Sequence, residues 1–91
     1  MNSNTKQFIY DIKQRKNNYM EDILKAIQHP KKEQAEQVIQ NIVENMDMMI
    51  RLVTAYMTIE SESMKELKEL QEDIIHAKAY IQERKFEETQ R

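Results

Sequence analysis

The stretch VTAYMTIESESMKELKEL, residues 53–70, decides the fold. Apolar residues approach it at Ala35, Ile39, Ile42, Met46, Met49, Val53 and Tyr56, in alternating steps of four and three. They leave it in the same phase at Leu67, Leu70, Ile74, Ala77 and Ile81. Such steps draw one apolar seam along a helix, as in a coiled coil. Only Glu60 and Ser63 interrupt the series, and they are neighbours in it. Either one long helix carries a polar layer there, or the chain turns back near Thr58–Ser63. The turn has its own signal. Ser63 followed by Glu66 fits a capping box, and Thr58, Ile59, Ser61 and Ser63 are mediocre helix formers in a row. Against it, the stretch lacks the Gly, Pro or Asn that usually marks a turn. The expectation is a break, and with it a helical hairpin in place of a rod.

The sole proline, Pro30, marks a second boundary. His29 before it is pushed away from helical geometry, and Pro30 suits the entry to the next helix. Upstream, Phe8, Ile9, Ile12, Tyr19, Met20, Ile23, Leu24 and Ile27 recur at helical spacing. Ser3 or Asn4 is the candidate cap. The expected architecture is a single all-α domain over residues 1–91. Helix 1 spans about 5–28, helix 2 about 31–59 and helix 3 about 63–88. They form an antiparallel bundle or long hairpin with helix 2 central and a coiled-coil-like seam between helices 2 and 3.

Composition agrees and removes many functions. The 91 residues contain no Gly and no Cys. Without Gly there is no phosphate-binding loop, dinucleotide fingerprint, nucleophile elbow or calcium loop. Without Cys there are no disulfides, iron–sulfur clusters or thiolate zinc sites, which fits a reducing, cytoplasmic setting. The most apolar window, Met48–Ile59, is interrupted by Arg51 and too short to span a bilayer. No membrane association is expected. The net charge of −2 is spread evenly, with no strong basic field, so nucleic-acid binding is not favoured. Lys13, Arg15 and Lys16 near Tyr10 and Tyr19, with Lys25, Lys31 and Lys32 farther on, support at most a weak nucleic-acid binder.

Catalytic and metal patterns are thin. Asp73 and His76 have the spacing of di-iron bundle ligands, but the motif occurs once and flanks the seam. All-helical nucleotide pyrophosphohydrolases resemble the chain in size and helix content. They use two acidic pairs on neighbouring helices to hold magnesium. Here Glu33/Glu36 and Glu44/Asp47 are the nearest match, too closely spaced and all on one helix. A magnesium-dependent nucleotide hydrolase is therefore the alternative, not the main expectation. Neither His stands beside a candidate nucleophile. No cofactor, no metal and no catalytic residue is expected.

Helix 2 carries the informative excess. Met46, Met49, Val53 and Tyr56 fall within about 80° of one another around the helix axis. Met48, Leu52, Ala55 and Ile59 form a second stripe, displaced by roughly 110°. With Ile50 and Met57 on the other flank, about 220° of the helix is apolar at its middle, where a peripheral helix needs little more than ~100°. The polar strip is Glu36, Gln40, Glu44, Asp47, Arg51, Thr54 and Thr58, expected to face solvent with Asp47 and Arg51 paired. Met-rich surfaces also suit adaptable binding. The expected function is a small helical interaction module (adaptor, inhibitor or regulatory subunit), not an enzyme. Met48, Leu52, Ala55 and Ile59 form its protein interface. Its partner is a second copy of the chain, as a homodimer, or another helical protein.

Overall fold

The computed structural model describes residues 3–28 and 31–90. The protein is all-α, with α1 at Ser3–Ile27, α2 at Lys32–Ile59 and α3 at Met64–Gln90. A single 3₁₀ turn, Ser61–Ser63, links the last two. The boundary residues His29 and Pro30 lie outside the described residues. On either side of them, the Gln28 amide donates to the Lys25 carbonyl at 3.2 Å, and Lys31 is extended at φ −99°, ψ 105°. α1 starts at Ser3, so Ser3 and Asn4 form its first turn instead of capping it.

The break in the heptad series is a reversal of the chain, and α2 is the central helix of a three-helix bundle. α2 closes with the Glu60 amide donating to the Tyr56 carbonyl at 2.8 Å. Glu60 itself leaves helical geometry at φ −113°, ψ 86°. Among the described residues none has positive φ, so this glycine-free chain reverses without a left-handed residue. The hydroxyls of Thr54 and Thr58 donate back to the Ile50 and Thr54 carbonyls, at 2.8 and 3.1 Å. Back-bonding of this kind slightly weakens the end of a helix.

The capping box does not form. Ser63 is the last residue of the 3₁₀ turn, 2% exposed, and its hydroxyl has no hydrogen-bond partner among the described residues. Glu66 is exposed. The reason is the seam itself: Ser63 stands four residues before Leu67, in phase with the buried line, so its side chain enters the core instead of turning to its own amides. Ser63→Ala is therefore expected to leave stability unchanged or raise it by up to ~1 kcal/mol, because it removes an unsatisfied buried hydroxyl. A capping role would show the opposite, a loss of about 1 kcal/mol on thermal or urea unfolding.

One core runs the length of the bundle. Ile9, Ile12 and Ile23 come from α1, Ile39, Met46 and Val53 from α2, and Leu67, Leu70, Ile74 and Ile81 from α3. Phe8 and Tyr56 stack across α1 and α2, ring centroids 4.0 Å apart and 5° from parallel. Leu24, grouped by spacing with the core of helix 1, is instead exposed. It lies 100° around the helix from Ile23, off the buried face.

The polar strip of α2 is not a purely solvent face. The Lys78 ammonium pairs with Asp47, and the Gln71 amide donates to the Thr54 hydroxyl at 2.7 Å. These two ties lie seven residues apart on each helix, so they repeat once per heptad and hold the antiparallel α2/α3 register. Lys16 reaches Asp73 at 3.9 Å and ties α1 to α3. Asp47 thus pairs across helices and not with Arg51, because its flank of α2 borders α3. A double-mutant cycle on Asp47→Asn and Lys78→Gln should give a coupling of a few tenths of a kcal/mol to ~1, as half-exposed ion pairs do. The same cycle with Arg51→Gln in place of Lys78→Gln should give none.

Candidate interaction surface

The excess apolar arc of α2 is divided by its neighbours. α3 packs over the flank holding Val43, Ile50 and Met57, which is the flank that borders Thr54 and Asp47. α1 covers the opposite side as far as Tyr56, through the Phe8 stack. Beyond Tyr56 no described residue covers the helix. There Met48 is 59% exposed, Leu52 48% and Ile59 80%, and Ala55 is exposed beside them. The two seams are therefore physically separate. Met46, Met49 and Val53 are buried inside the bundle, while Met48, Leu52, Ala55 and Ile59 form an apolar line on its outside.

This exposed line has a polar border. Glu44 and Arg51 are both exposed on the side away from α1, with Glu44 accepting a long hydrogen bond from Gln40 at 3.4 Å. At the other side, Asn45 donates to the Asn41 carbonyl at 2.9 Å. Apolar centre and polar rim are the usual anatomy of a protein–protein contact.

A feature that periodicity alone does not reveal lies at the N-terminal end of α2. A groove of about 260 Å³ opens between α1 and α2, lined by Asp22, Lys25, Ala26, Gln34, Ala35 and Val38. Its floor comes from two alanines, Ala26 and Ala35, both buried. Small side chains at facing positions leave a gap where Ile or Leu would have closed it. The pair of alanines flanking the α1–α2 junction was the available signal. Val38, exposed at the rim, sits outside the heptad line and so escaped the seam count.

The other candidate residues are dispersed. Glu33, Glu36, Glu44 and Asp47 stay on one helix, and Asp47 is engaged by Lys78. Among the described residues, no three His, Asp or Glu side chains come together in a way that would hold a metal ion. Asp73 faces Lys16 across the α1/α3 contact, and His76 is exposed on α3. Lys13 and Arg15 are exposed, but Lys16 is drawn away from them into its pair with Asp73. A shallow groove between α1 and α3 holds Lys6, Ile9, Tyr10, Lys13 and Glu66, with an acid among its cations. Among the described residues, no helix is long and apolar enough to cross a membrane. Compared with known protein families, curated proteins and solved structures, the chain matches none.

Proposed function

We propose that this protein is a small helical interaction module, of the adaptor, inhibitor or regulatory-subunit kind, and that it associates with itself as a homodimer. The single observation that carries this reading is the apolar line of Met48, Leu52 and Ile59, left outside the buried core of the bundle. An isolated apolar residue on a surface is ordinary, but three large ones in register along one helix, rimmed by charge, fit a contact. A second copy is the favoured occupant because closed two-fold dimers are the commonest assemblies of soluble chains. No catalytic step is proposed.

Co-expression of a tagged and an untagged copy tests this. The untagged chain should be retained with the tagged one, and untagged Ile59→Asp should pass through. No retention of the native chain at high micromolar concentration would contradict self-association.

A further inference from the structure

We propose that two copies dock with their α2 helices antiparallel, the two-fold axis passing between Asp47 and Met48, so that Ile59 of each copy fills the α1–α2 groove at Ala26, Ala35 and Val38 of the other. This rests on the self-association proposed above and gives it a geometry.

The exposed strip has a knob at one end and a hole at the other. Val38, Asn45, Met48, Leu52 and Ile59 fall within an arc of about 80° on α2, so groove and knob share one face. Among the described residues Ile59 is the most exposed of the large apolar side chains, and the groove is an apolar recess at the far end of the same face. A surface of this kind complements itself only when the second copy runs the other way. Parallel pairing would set Ile59 against Ile59 and leave both grooves empty.

Charge selects the same axis. Glu44 and Arg51 border the strip on one side, and the point midway between them lies between residues 47 and 48. The point midway between Ile59 and Glu36, on the helical turn that carries Ala35 and Val38, is the same. An antiparallel partner centred there therefore brings Glu44 of one copy to the level of Arg51 of the other, twice by symmetry. In a parallel two-fold pair the border holding Glu44 and Arg51 would fall on opposite sides of the contact in the two copies, and neither charge would meet its complement. Shape and charge, read separately, agree on one arrangement.

The chain has no native cysteine, so introduced thiols report alone. Within one copy, positions 38 and 59 lie ~32 Å apart along a single helix. A disulfide needs Cα atoms within about 7 Å, so a bridge between them can form only between copies. The full chain carrying Val38→Cys and Ile59→Cys, oxidised gently where the native chain is dimeric, is expected to become a covalent dimer. Either single variant should remain largely unbridged. Covalent dimers from Ile59→Cys alone would overturn the antiparallel docking, and so would a dimer by mass whose double variant forms no bridge. As a second measurement, Glu44→Arg and Arg51→Glu should each weaken association by about tenfold or more, and the two together should restore it. A double swap that binds no tighter than the single variants would overturn the charge register. A native chain that stays monomeric would remove self-association and the docking with it. A native dimer that fails the bridge and swap tests would remove only the docking.

Discussion

Val53→Asp should unfold the protein. Val53 is 0% exposed at the middle of α2, in one buried cluster with Met46 and Met49 of α2 and Leu70 and Ile74 of α3. Among the described residues, no cation belongs to that core. A carboxylate there must be buried without a partner or must force the helices apart, at a cost of about 5 kcal/mol or more. That is comparable with the whole stability of a small domain. Circular dichroism should show loss of most helical signal at 25 °C, and a native-like thermal transition in this variant would mean that the seam is not the core.

Leu52→Asp, one residue away, should behave in the opposite manner. Leu52 is 48% exposed on the outer line, so the new carboxylate stays in water and the core beneath is untouched. Helicity should persist, with a change in intrinsic stability of no more than ~1 kcal/mol, as for most surface substitutions. Association should be lost, because each copy would bury an unpaired carboxylate within the apolar strip of the contact. Thermal stability should then not depend on protein concentration, whereas the native chain, as the proposed dimer, should be stabilised by mass action as concentration rises. If Leu52→Asp unfolds as completely as Val53→Asp, the separation of the two seams fails.

The contrast between these neighbours shows what periodicity can carry. The buried seam, Ile39 through Ile81, was legible because apolar residues recur at heptad spacing on both sides of Glu60 and Ser63, and the phase survives the reversal. The central place of α2 was legible for the same reason: its apolar arc is wider than one neighbour can cover. Periodicity reports an angle around one helix. It does not report which neighbour stands at that angle. Asp47 illustrates the limit. Its spacing to Arg51 suits a pair along α2, but α3 stands beside it and supplies Lys78. Ser63 illustrates it again: three residues before Glu66 it reads as a cap, while its place on the seam buries it with its hydroxyl unsatisfied.

That Met48, Leu52, Ala55 and Ile59 stand outside the buried seam was legible, because roughly 110° of displacement from the core seam exceeds what two flanking helices reach around. The groove was not. It depends on Ala26 and Ala35 facing each other across two helices, a relation that exists only once α1 and α2 are placed side by side. The hydrophobic pattern counts alanine as core and is silent about the space it leaves empty.

Self-association is measured most directly by the solution mass of the native chain, from sedimentation equilibrium over a hundredfold range of concentration. One chain weighs 11.0 kDa. The proposed homodimer should give a mass twice that at high micromolar concentration, falling toward the single-chain value on dilution or on Leu52→Asp while the helical signal is kept. A native protein that sediments as a single chain throughout would contradict it.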